Sequence, residues 1–247
     1  TDHPVIPVQY LPVAVAMAGG YAEDITVTAG TGNVNFGNAA VDTIGASIPL
    51  GVITINSVAS ARFYGSAVCE AIDQNAGSTA TRFDGALTLR ASGGYGLDLD
   101  GTAFSFYGTV NTLAAGNGGT VTITNTGLLT IDAAADFSLD GAFLQDGTGA
   151  VSTAGDITTT NDNISLSSNI TLIGAGLISL STGAGIGDII FLGTINGNAA
   201  YAEDLTLTAG GGSISFGNAP ADTVGAGVRP GDITIANAVN VRFYGAV

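Results

Sequence analysis

Gly93-Gly94-Tyr95-Gly96-Leu97-Asp98 follows the first part of the pattern GGxGxDxUx, in which glycine turns and aspartates share calcium between stacked turns. Asp98 and Asp100 are therefore the candidate ligands for a hard cation, with calcium the cofactor to test. The apolar position of the pattern falls on Asp100, and no second copy follows to supply the neighbouring turn's ligands. The competing reading is a simple glycine turn. Two pairs of adjacent carboxylates, Glu23-Asp24 and Glu203-Asp204, are the acid–base candidates. Two carboxylates are also the usual equipment of glycoside hydrolysis. Adjacent residues of a strand point to opposite faces, however, so neither pair would converge on one substrate. A lyase would need a base beside acidic metal ligands. The chain has no lysine, and its one histidine, His3, lies near the N-terminus. Arg62 and Arg242 hold equivalent places in a repeat, while Arg82 and Arg90 flank a strand with Asp84 near. These residues read as structural, and the chain as no enzyme.

Two further patterns touch the surface. Thr-x-Thr recurs at Thr26/Thr28, Thr122/Thr124 and Thr206/Thr208. A flat ladder of such pairs can bind ice, but these are irregularly spread, and threonine favours strands in any case. Tyr64, Tyr107 and Tyr244 each follow a phenylalanine and precede a glycine. Neighbours in a strand face opposite ways, so one ring of each Phe-Tyr pair must look outward. The three tyrosines are the candidate contact stripe for a glycan or a neighbouring filament; the alternative is packing within core and turns.

The elements that would carry these residues come from a repeat. YAEDITVTAGTGNVNFGNA at Tyr21 returns as YAEDLTLTAGGGSISFGNA at Tyr201, an offset of 180 that holds to the last residue. Residues 21–67 and 201–247 are the matching copies. About half of their positions are identical, and most others exchange like for like, as Ile25 with Leu205 and Val34 with Ile214. Self-similarity on this scale is the mark of an array. A shorter beat of an aromatic followed by glycine runs through Phe36, Phe63, Phe83, Phe106, Phe191, Phe216 and Phe243. Its early steps and the division of 180 into eight predict rungs of about 22 residues. That is the length of three short strands and three turns.

Segments such as Ile25-Thr26-Val27-Thr28, Val121-Thr122-Ile123-Thr124 and Ile233-Thr234-Ile235 alternate apolar with polar residues, the period of a half-buried strand. Glycine, asparagine and aspartate crowd the gaps. The reading is all-β, a parallel β-helix solenoid, taken as right-handed, running continuously through 21–247. A β-sandwich would have no fixed rung. A propeller would show blades of about 40–45 residues, and its Trp-Asp dipeptides are missing.

The net charge of −15, with twenty acidic residues against five arginines, argues against nucleic acid as a partner. It also argues against an anionic membrane surface. Cys69 is the single cysteine, so no intrachain disulfide forms, and it reads as a small buried hydrophobe. No signal peptide is visible. The start at Thr1 reads as that of a mature or excised segment. Residues 1–20 lack a counterpart in the second copy, and PVIPVQYLPVAVAMA is too short and proline-rich to span a bilayer. They read as an extended arm or a cap over the first rung, with Val5, Ile6, Val8, Tyr10 and Leu11 the candidate assembly residues. The stop at Val247, inside a repeat, implies that further rungs or another molecule continue the stack.

LTLTAGGGSISFGNA, ITIANAVNVRFYGAV and ITINSVASARFYGSA resemble the passenger regions of bacterial filamentous-haemagglutinin-like and autotransporter-type surface adhesins with giant β-strand repeats. The resemblance spans both copies and, more weakly, the middle. It is one of style. Neither the secretion domain of two-partner systems nor a translocator barrel is present in the sequence. The resemblance implies an exported β-helix at the bacterial cell surface or outside the cell, used for attachment, cell contact or matrix building. The expected partners are further copies of itself or a host or cell-surface glycan or protein. The leading expectation is a stiff rod or stalk without enzymatic activity. The alternatives are a filament subunit joined end to end through residues 1–20 and, third, a carbohydrate-active β-helix enzyme.

Overall fold

The computed structural model describes residues 9–11, 23–91, 94–112 and 119–247. Among these there is no helix, and every strand pairing is parallel. The chain winds through three faces in constant order. The first face stacks Ile25, Ile53, Ile72, Leu97, Val121, Phe143, Ile164, Ile189, Ile214 and Val241 in register. The second runs from the strand Gln9–Leu11 through Asn33–Phe36, Gly77–Phe83 and Ala103–Phe106 to Ile195–Gly197. The third starts at the bridge between Ile44 and Ala67 and ends at Ile233–Asn237. Nine turns separate Ile25 from Val241, so a turn takes about 24 residues rather than the expected 22.

Strand alternation sets which side chain goes where. Val121-Thr122-Ile123-Thr124 buries both apolar residues and leaves both threonines half-exposed, and the short strands of the middle repeat this pattern. The core is a narrow column filled from three sides. No residue of it lies far from a backbone ladder, which is how a chain rich in alanine and valine closes without a large globular centre.

The matching copies do not lie one above the other. Residues 25–28 belong to the first face, but their counterparts 205–208 pair with Leu177–Ser181 on the third. The second strand of the motif, Asn33–Phe36, is on the second face, whereas Ser213–Phe216 is on the first. Twenty-three strand positions separate the copies, which is seven turns and two strands. The 180-residue repeat is therefore not a whole number of rungs, and its division by eight is corrected.

Local geometry nonetheless survives the change of face. Gly37 and Gly217 have φ of 81° and 79°. Beside them Asp42 Oδ2 accepts from the N–H groups of Asn38 (2.8 Å) and Ala39 (3.0 Å), as Asp222 Oδ2 does from Asn218 (2.9 Å) and Ala219 (2.8 Å).

The phenylalanines follow the motif from face to face. Phe36, Phe63, Phe83 and Phe106 stack on the second face, with centroids 4.2, 4.9 and 4.9 Å apart. Phe191, Phe216 and Phe243 stack on the first, at 5.4 and 4.3 Å. Between them Phe137 on the third face and Phe143 on the first carry the ring contacts on edge-to-face, at 5.1 and 5.3 Å, while Ile131, Thr153, Leu172 and Gly197 continue the second-face column above Phe106. There the core also holds a polar knot. Buried Gln145 donates to Asn125 Oδ1 (2.8 Å) and Gly147 O (2.9 Å) and accepts from Ser167 N–H (3.0 Å), so its amide is satisfied, as burial demands.

Candidate functional surfaces

Asp98 and Asp100 lie in the strand Tyr95–Gly101, not in a glycine turn. They are two residues apart and both face outward, Asp98 half-buried and Asp100 exposed. Asp73 is in register one rung below Asp98, and Thr122 one rung above. Rungs are about 4.8 Å apart, so the first face carries a short line of carboxylates along the axis. Burial, and then repulsion from Asp100, push the Asp73 carboxyl above its ordinary value; burial and then Asp100, Asp73 and Asp146 do the same to Asp98. The phenol of Tyr95 is raised by burial and then by Asp73, Asp98 and Glu70. Among the described residues no three metal-capable side chains converge. The arrangement is a flat line on one sheet, which offers a cation ligands from one side.

Three of the four paired carboxylates, Asp24, Glu203 and Asp204, are used as backbone acceptors. Asp24 Oδ1 accepts from Val52 N–H and Asp204 Oδ1 from Asp232 N–H, both at 2.8 Å and both from the following rung. Glu203, only 1% exposed, accepts from the N–H groups of Asn198 and Ala199, each at 3.2 Å. The same device runs through the solenoid: Asp156 accepts from Ser179 N–H, Asn169 from Thr194 N–H, and Asp188 from Ser213 N–H. These side chains span places where the turn interrupts the ladder and a backbone donor needs an acceptor. The threonine pairs are divided among faces, with 26/28 and 122/124 on the first and 206/208 on the third.

The phenylalanine before each stripe tyrosine points inward. Each tyrosine ring lies under a guanidinium: Arg62 over Tyr64 at 4.0 Å, Arg82 over Tyr107 at 4.0 Å, and Arg242 over Tyr244 at 3.9 Å. Such contacts hold the rings in place but occupy one face of each. Asp84 ties the first two pairs together, accepting from Arg62 Nε at 2.6 Å and also from Arg82 Nε. Tyr64, Arg62, Asp84, Arg82 and Tyr107 thus form one patch at the end of the second face. Tyr244 does not join it, because the rotated copy carries it to the end of the first face. The cross-rung bridge Arg62–Asp84 was not legible from neighbours in sequence; the signal was the 22-residue spacing, about one rung.

Val5, Ile6 and Val8, like His3, lie outside the described residues. Tyr10 and Leu11 lie in the strand Gln9–Leu11, paired in parallel with Asn35 and Phe36. Cys69 is fully buried, and burial, with Glu70 adding to it, pushes its thiol up to about 12.

In comparison with known proteins the chain matches no family model, no curated protein and no solved structure. The class rests on the fold itself, a parallel β-solenoid of three faces. No helix of the described residues is long and apolar enough to cross a membrane.

Proposed function

We propose that this chain is a non-enzymatic extracellular structural and adhesive element, a stiff β-helical rod or stalk for attachment, cell contact or matrix building at the bacterial surface. The observation that supports it most is the use of the polar side chains. Of the carboxylates that first suggested chemistry, Asp24 and Asp204 are hydrogen-bonded to the next rung's backbone, as Asp156 and Asp188 are elsewhere, so these acids serve the continuity of the stack. Nine turns at about 4.8 Å make a ladder of about 43 Å with a packed core along its length. The outward faces would then meet a glycan or protein through patches such as Tyr64–Asp84–Tyr107. The test is binding of the purified chain to cells and to an array of surface glycans. Retention by cells that Tyr64→Ala/Tyr107→Ala reduces, with turnover of no glycan, is the expected result. Cleavage of a bound glycan would replace the rod reading with the enzyme.

A second reading, a subunit that joins end to end through residues 1–20, draws on the two described edges. Gln9–Leu11 opens on the second face, and the last strand, Asn240–Phe243, lies on the first, after which Ala246 C=O reaches Val224 N–H on the second. On that rung Val241 is 39% and Phe243 41% exposed. Electron microscopy separates the readings. Filaments whose axial repeat matches one chain, lost when Tyr10 and Leu11 are changed to Asp, would favour the subunit; isolated short rods would leave the adhesive rod.

A further inference from the structure

One of the places where the two copies differ changes the chemistry of the surface. The first reads Ser47-Ile48-Pro49-Leu50-Gly51 where the second reads Gly227-Val228-Arg229-Pro230-Gly231, so Arg229 replaces Pro49. Arg229 and Tyr201 are joined twice. Tyr201 N–H donates to Arg229 C=O at 2.9 Å, and Arg229 Nη1 donates to Tyr201 Oη at 2.9 Å. Tyr201 holds a left-handed backbone, φ 63°, that aromatic residues rarely adopt, and it is 67% exposed. Strain of this kind persists only where the surroundings impose it, and it concentrates at working surfaces.

Beside this pair is a cavity of about 260 Å³. Tyr201 and Arg229 form its polar rim, Val224, Pro230, Ile233 and the exposed Val247 are its apolar lining, and the backbone of Gly225 and Gly231 completes it. Among the described residues no carboxylate lies within ion-pair distance of Arg229, in a chain of net charge −15. The acids nearest in sequence to Tyr201 are engaged, Glu203 by Asn198 and Ala199 N–H and Asp204 by Asp232 N–H. Because Tyr201 Oη accepts from Arg229, its own proton is left to donate. The rim therefore offers a guanidinium fork and a phenol O–H, all donors, above an apolar floor. Donors in that fork match a carboxylate.

We propose that this cavity binds a small carboxylate with an apolar body, the acid on Arg229 and Tyr201 and the body on Val224, Pro230 and Ile233. A free apolar carboxylic acid meets both requirements, and an acidic sugar unit of a glycan meets them through its carboxylate and the C–H face of its ring. The inference does not depend on the rod reading, since any solenoid could carry such a pocket.

The experiment is an NMR titration of the whole chain with four probes: glucuronate, cyclohexanecarboxylate, and their neutral counterparts glucose and cyclohexanol. The expected result is movement of the Tyr201, Gly225 and Gly231 amides with at least one acid. The matching neutral probe should bind at least about tenfold more weakly. Arg229→Gln should weaken the acid by about tenfold or more, and Arg229→Lys by less, because the charge stays while the fork is lost. Tyr201→Phe should show a smaller loss, and added salt should weaken binding. Arg229 is on the surface, so an unchanged thermal midpoint shows that the variants are folded. Preference for glucuronate assigns the sugar, and preference for cyclohexanecarboxylate the free acid; both uphold the site. The proposal is overturned if neither acid moves these amides, if the neutral probes bind as tightly, or if Arg229→Gln binds unchanged.

Discussion

The two copies of the repeat share about half of their residues and the same local hydrogen bonds at Asp24/Asp204 and Asp42/Asp222, yet they stand on different faces and meet different neighbours. Residues 25–63 are overlaid by the rungs that follow, and Ile53 and Phe63 are fully buried. Residues 205–243 form the last rungs, where Ile233 and Ile235 are half-buried and Phe243 is 41% exposed. The motif therefore supplies its own turns and its own alternation, and the neighbouring rungs supply the burial: at the other end Ile25 and Val27 are half-buried, whereas their counterparts Leu205 and Leu207 are buried. A unit of this kind can be placed on any of the three faces, because all three present the same parallel ladder to the strand that arrives.

The largest expected difference between the copies is in their phenylalanines. Phe63→Ala removes a fully buried ring between two stacked partners and should cost about 3–5 kcal/mol. Phe243→Ala, at the same motif position but stacked on one side, should cost about 1 kcal/mol, nearer the loss of one ring contact. Denaturant unfolding of both variants checks this, and equal costs would break the contrast. Next comes a pair expected to agree. A Cβ at Gly51 would run into Asp24 Oδ1, and one at Gly231 into Asp204 Oδ1, where each carboxylate holds the next rung's N–H. Gly51→Ala and Gly231→Ala should each destabilise by about 1–3 kcal/mol through the lost hydrogen bond. A large effect in only one copy would show that the face, and not the motif, sets the geometry.

Smaller still is the bridge. Asp84→Asn removes the carboxylate that joins Arg62 and Arg82 and should cost about 0.5–1 kcal/mol, less in high salt, since both arginines are well exposed. Cys69, just past the first copy, gives a pH test. Its thiol is raised by burial from an ordinary 9.0 to about 12, so the folded state keeps a proton that the unfolded state releases. That stability is complete below about pH 9 and should fall as pH rises from there towards about 12. Cys69→Ala should flatten this decline, and the native thiol should resist alkylation until the chain unfolds. The smallest effect is on the first face. Asp73 and Asp98 are raised above ordinary values by burial and mutual repulsion, so they favour the folded state most at low pH and least once both are ionised. Asp98→Asn should raise the midpoint of unfolding slightly at pH 7, by a few tenths of a kcal/mol after solvent screening, and lose that advantage in acid. Calcium that stabilises the parent chain but not this variant would return Asp98 to the list of cation ligands.

Much of the architecture was legible in the chain itself. Alternation in segments such as Val121–Thr124 determined strands, because a strand with one buried face must repeat every two residues. Glycine at positions such as Gly37 and Gly217 marked the turns, because a positive φ admits few other residues. The aromatic-glycine beat located rungs wherever phenylalanines stacked, and it blurred between Phe106 and Phe191, where Phe137 and Phe143 meet edge-on from other faces and aliphatic and polar residues fill the second-face column. Three things were decided only by the tertiary structure. Rung length and the one-third rotation between copies depend on turn lengths summed over many rungs, and a repeat of 180 says nothing of how many strands it contains. The work of Asp24, Asp84 and Asp204 depends on which backbone or guanidinium lies one rung away, a distance of 22–28 residues that no local motif encodes. The meeting of Tyr201 with Arg229 is of the same kind. Alternation is a property of neighbours in sequence; adjacency along the solenoid axis exists only once the chain is wound.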